Sequence, residues 1–86
     1  GEPRLASLEV VGHDRPGIVL EITRALAAHG ANVEELATEC VSAPMSGEML
    51  FQARAKLALP AGVTVGALRQ SLEQAVPGLT VEISTP

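Results

Sequence analysis

Aromatic side chains are nearly missing from this chain, in which Phe51 stands alone and neither Trp nor Tyr occurs. That excludes a stacking platform for nucleic-acid bases and an aromatic cage for a cationic ligand, since both need several rings. Basic residues are also few. Arg4, Arg15, Arg24, Arg54, Lys56 and Arg69 are scattered along a chain of net charge −4. No cationic stripe is available for a phosphate backbone, and direct contact with DNA or RNA is not expected. Cys40 is the single cysteine, which rules out an intrachain disulfide and a Cys-based zinc cluster and suits a reducing cytoplasm. No apolar run reaches the roughly 20 residues that a membrane-spanning helix requires, so no membrane partner is expected. His13 and His29 are the only histidines. Most of a predicted helix separates them, so no metal is expected and no other cofactor is implied.

What the chain has in quantity is aliphatic residues. Its 86 residues fit one small domain, 1–86. A domain of this size buries only about 60–65% of its unfolded surface, so association with another copy or domain would help it.

The apolar pattern falls into six elements. Residues 5–12 read as a strand that Gly12 ends. From Pro16 to about His29, Ile18, Val19, Ile22, Ala25 and Leu26 recur at helical spacing. Pro16 suits the first helical position, and Gly30 is a left-handed stop. Residues 32–42 read as a strand without clean periodicity, with Cys40 half-buried in it. Adjacent Glu34 and Glu35 would point to opposite faces there, a poor acid–base pair. Ala43–Gly47 reads as a turn that accounts for Ser46 without a nucleophilic role. Between Met49 and Leu59, apolar residues alternate with Leu50, Gln52, Arg54, Lys56 and Ala58, a period of two with one face toward solvent. Thr64 is the predicted cap of a second helix carrying Val65, Leu68, Leu72, Ala75 and Val76, which Pro77-Gly78 stops. Leu79–Ser84 closes the chain as a strand. This β-α-β-β-α-β order predicts an α+β, ferredoxin-like sandwich: a four-stranded antiparallel sheet with two helices on one face.

The stretch richest in functional signal is Val11-Gly12-His13-Asp14-Arg15-Pro16-Gly17-Ile18, where a strand runs through a polar turn into a helix. Such a turn directs backbone N–H groups and a helix N-terminus at one place, a natural anion site. Simpler readings accompany each residue. Asp14 could cap the helix, Arg15 could be a solvated turn residue, and Asn32 could serve the following turn.

The same turn, followed by Gly30-Ala31-Asn32-Val33 and set within the βαββαβ order, resembles the ACT domain, a family of small regulatory modules that commonly bind amino acids. A narrower likeness, in Asn32-Val33-Glu34-Glu35-Leu36, Ala43-Pro44-Met45-Ser46-Gly47 and Leu50-Phe51, is to the ACT repeats of glycine cleavage system transcriptional repressors. Those proteins carry two such domains and are thought to act through a protein partner more than through DNA. The resemblance implies an effector site, commonly across a domain interface, at His13, Asp14, Arg15, Gly17 and Ile18, with Asn32 and Val33 opposite. It also implies pairing as a homodimer or with another ACT domain, and a protein partner such as a transcriptional activator.

The leading expectation is therefore a non-catalytic cytoplasmic module that binds an amino acid and signals by association. A ligand-free interaction domain, or the regulatory domain of a metabolic enzyme, would give the same pattern. Acylphosphatases share the topology and use an arginine and an asparagine that Arg15 and Asn32 could mimic. This chain lacks their glycine-rich phosphate cradle, and Pro16 removes an N–H from the loop.

Overall fold

The computed structural model describes residues 2–86. Six elements follow the expected order: β1 (Arg4–His13), α1 (Ile18–Ala28), β2 (Asn32–Ser42), β3 (Met49–Leu59), α2 (Val65–Ala75) and β4 (Thr80–Ser84). The strands form one antiparallel sheet in the order β2-β3-β1-β4. The architecture is the predicted ferredoxin-like sandwich.

The alternation in β3 carries the core. Phe51, Ala53, Ala55, Leu57 and Leu59 are buried, and opposite them on β1 so are Ala6, Leu8 and Val10. Val81 and Ile83 of β4 extend this face, while Ile22 and Leu26 of α1 and Leu68 and Leu72 of α2 cover it. Both helix ends are set by local chemistry. Gly30 takes φ 71°, Ala31 N–H donates to Leu26 O and Gly30 N–H to Ala27 O, the paired bonds of a Schellman stop. Thr64 accepts from Ala67 N–H at 3.0 Å through its hydroxyl, as an N-cap should.

The β1–α1 connection differs from the sequence reading in two respects. Gly12 does not end the strand, which runs to His13. It stays within the ladder opposite Phe51, and a Cβ there would come within 2.9 Å of Leu79 Cδ1. The glycine is therefore there for packing. Pro16 is not helical either. Arg15-Pro16-Gly17-Ile18 forms a turn in which Ile18 N–H donates to Arg15 O and Gly17 sits at φ 83°, ψ 1°. That is the type II turn favoured by proline at its second position and glycine at its third. Gly17 becomes the N-cap, and α1 begins one residue later.

β2 departs furthest from expectation. Its register slips between Val33 and Glu35, a bulge that leaves Glu34 without a partner on β3. Apolar positions therefore change parity along the strand: Val33 lies opposite Leu57, Leu36 opposite Ala55 and Cys40 opposite Phe51. The bulge also lets Glu34 and Glu35 border the same hollow beside Lys56, rather than opposite faces. Nearly the whole strand is exposed, Cys40 included. The helix layer lies over β3, β1 and β4, so β2 is held chiefly by its hydrogen bonds to β3.

Two substitutions test this packing. Leu72→Ala, at a fully buried position, should cost about 2–5 kcal/mol and leave a domain near its unfolding threshold in urea titration. Gly17→Ala meets no atom within 4 Å. Its cost should be the left-handed backbone alone, about 1–2 kcal/mol, seen as a melting temperature lower by several degrees.

Candidate functional site

The uncovered helix side of β2 and the first turn of α1 enclose an open depression of about 610 Å3. Phe51, Thr38 and Cys40 form its floor, Val19, Leu20 and Thr23 its wall, and Asp14, Arg15 and Gly17 its rim. Each element is placed by packing. Asp14 N–H donates to Met49 O at 3.1 Å, which fixes the end of β1 against β3. Ile18 anchors the start of α1 in the core. Val19 and Leu20 then fall on the flank of the helix that overlooks β2, where no further layer covers them. They are 40% and 51% exposed, although the periodicity had put Val19 in the core stripe.

The electrostatics leave two groups at the rim free to act. Arg15 donates to Glu21 and forms an ion pair with it, so its charge is compensated. Asp14 does not cap the helix: Gly17 is the N-cap, and no side chain bonds to the open N–H groups of the first turn. Those groups remain available to an anion. The Asp14 carboxylate lies beside Cys40 instead and has no cationic partner among the described residues. Partial desolvation, and then the negative charge of Asp14, push the Cys40 thiol above its ordinary pKa. The thiol is neutral at pH 7 and lines the floor as a soft, weakly polar group.

Of the seven residues expected at a site, Asp14, Arg15, Gly17 and Ile18 border this depression. His13 does not. It ends β1 on the outer face of the sheet, with Nδ1 3.5 Å from Glu48 Oε2. Asn32 and Val33 stand at the opposite end of the sheet. Ala58, opposite Asn32, and Leu50, opposite His13, are eight residues apart on β3, a separation of about 25 Å. Within one chain these two groups cannot share a ligand. Val19, Leu20, Thr23, Thr38, Cys40 and Phe51 were not read from the sequence as site residues. The signal for Thr38 and Cys40 was present, because both share a face with Leu36 and Phe51 once the bulge is allowed for.

The outer face of the sheet carries further hollows bordered by charges of both signs. Arg54 Nε lies 3.5 Å from Glu9 Oε1, and Lys56 Nζ donates to Ser7 Oγ at 3.0 Å. No group of three or more His, Cys, Asp or Glu arranged to hold a metal occurs among the described residues. No helix among them is long and apolar enough to cross a membrane.

Comparison with known proteins follows the fold closely. A sequence profile of the ACT domain family matches residues 6–53. A UPF0237 protein from Methanopyrus kandleri is 36% identical over 78 residues, covering 91% of this chain and 81% of that protein. An unknown protein from Galdieria sulphuraria superposes with a TM-score of 0.84 at 31% identity, over 99% of this chain and 50% of that one. The ACT domain from GTP pyrophosphokinase of Chlorobium tepidum superposes with a TM-score of 0.70 at 22% identity, over 95% of this chain and 99% of that domain. This last likeness is one of fold. The chain thus spans half the length of the Galdieria protein.

The thiol provides a direct probe of the depression. Alkylation of Cys40 by iodoacetamide should rise with pH along a curve displaced above that of free cysteine. Asp14→Asn removes the negative neighbour and should bring the curve part of the way down, leaving the contribution of desolvation. An unmoved curve in the variant would place Asp14 away from the thiol.

Proposed function

The chain belongs to the ACT domain family of regulatory domains, and from that premise we propose that it senses an amino acid or similar small metabolite. Occupancy is passed on through pairing with a second copy or another ACT domain. The observation that carries this reading is the depression beside β2, where an uncapped helix start, a carboxylate without a cation and a hydrocarbon wall meet. A zwitterion is complementary to that arrangement. Its carboxylate can accept from the open N–H groups of Val19 and Leu20 in the first turn of α1, and its ammonium can donate to Asp14.

Pairing accounts for the separation of Asn32 and Val33 from the turn. β2 is an 11-residue edge strand with no residue fully buried, and an unpaired edge readily accepts another strand. Two copies joined antiparallel along β2 about a twofold axis reverse the strand. The partner's Asn32 and Val33 then arrive beside Ser42, at the end where Asp14 and Gly17 lie. The site is complete only in the pair, with His13 just outside it.

A role in transcriptional control of amino-acid metabolism, through a protein such as a transcriptional activator, is supported by the narrower likeness at Asn32–Leu36 and Ala43–Gly47. A cytoplasmic setting suits the unpaired thiol. No catalytic role is proposed, since the Arg15 that acyl-phosphate chemistry would use is held by Glu21. The exposed edge also fits an interaction domain without a ligand, and one experiment separates the two.

A thermal melt against the amino acids at millimolar concentration should show a selective rise of several degrees. A ligand at a hundred times its dissociation constant adds about 2.7 kcal/mol. Asp14→Ala and Asn32→Ala should each abolish the rise, the second only if the partner supplies Asn32. A flat panel from a chain that sediments as a dimer would favour the interaction domain.

A further inference from the structure

Resting on the sensor reading, we infer that the effector is an amino acid with an uncharged, apolar side chain, selected by Val19 and Leu20. What decides the side chain is which groups in the depression remain unsatisfied. Arg15 is paired with Glu21, so no free cation is left at the rim to receive a carboxylate side chain. An Asp or Glu effector would instead bring its second negative charge toward Asp14, where like charges repel. A Lys or Arg effector would have to lay its distal charge along Val19 and Leu20, where Asp14 is the only acid among the described residues of the same chain that line the depression.

What the wall offers is hydrocarbon. Val19 and Leu20 are large aliphatic residues, 40% and 51% exposed. They line the depression together with Phe51, the one aromatic ring of the chain, which is itself buried. Apart from the Thr38 hydroxyl on the floor, the polar groups nearby are already occupied or weak. Thr23 Oγ1 donates to Leu20 O at 3.1 Å, and the Cys40 thiol is a poor donor. A side chain that needs strong hydrogen bonds, such as that of Ser, Asn or Gln, finds few here. A side chain of two to four carbons finds a surface to cover.

Selection therefore comes from contact area, and the expected signature is graded. Affinity should climb through Gly, Ala, Val and Leu by roughly two- to fourfold for each added carbon, the yield of burying a methylene in a half-open site. Asp, Glu and Lys should bind no better than Gly.

Isothermal titration of the whole chain with these amino acids tests the inference, alongside Leu20→Ser and Val19→Ser. Both substitutions lie on an exposed flank and should leave the melting temperature within a few degrees of the parent. The expected result is a rising series in the parent that flattens in both variants while weak Gly and Ala binding persists. A series that is flat, or that favours Ser or Glu, overturns the inference and leaves the sensor reading standing. A rising series that Leu20→Ser and Val19→Ser leave unchanged overturns the assignment of the wall. Heat from none of the amino acids overturns the sensor reading itself.

Discussion

Everything distinctive about this domain follows from a shortage of cover. Two helices of eleven residues each lie over a four-stranded sheet, and their buried faces are spent on β3, β1 and β4. The fourth strand is left with backbone hydrogen bonds to β3 and little else. Backbone pairing alone contributes modestly to stability, because each bond made in the protein replaces one made to water. The core is therefore lopsided: closed over β3, β1 and β4, open over β2. The depression is the direct product of that asymmetry, a piece of helix-facing sheet that the helix layer does not reach.

The same asymmetry explains how the turn after β1 becomes a place for chemistry. A helix start normally satisfies its first N–H groups with a nearby hydroxyl or carboxylate, as Thr64 does for α2. In α1 that position is taken by Gly17 in a left-handed conformation, which has no side chain to offer. Asp14, three residues earlier, is drawn to the sheet by its own backbone bond to Met49 and turns its carboxylate toward β2. The acid and the open helix end thus face a common space without neutralising each other. Arg15 pairs with Glu21 one turn up the helix, so the separation persists.

Much of this was legible in the residues, and the exceptions are instructive. The alternation of β3, the glycine stop of α1 and the threonine cap of α2 are local signals, and each was read where it occurs. Pro16-Gly17 was misplaced because proline suits both the first helical position and the second position of a type II turn. Only the backbone of Gly17 distinguishes them. In β2 the bulge at Glu34 breaks the parity on which strand reading depends, so Val33 is no guide to the face shared by Leu36, Thr38 and Cys40, which their register against β3 reveals. Asn32 was the hardest case. Its distance from the turn arises because α1 carries the chain back along the sheet, so that β2 starts at the end where β1 begins.

A strand that adds so little to the core is also one that can change without endangering the fold. Substitutions at exposed positions usually alter stability by no more than about 0.5 kcal/mol, and nine of the eleven positions of β2 are exposed. Selection can therefore rewrite this strand while β1, β3 and the helices keep the domain intact. A lineage built on this scaffold can exchange one recognition surface for another by drift along a single edge. On this view the incomplete helix layer is a source of evolutionary latitude, written into the proportions of the fold.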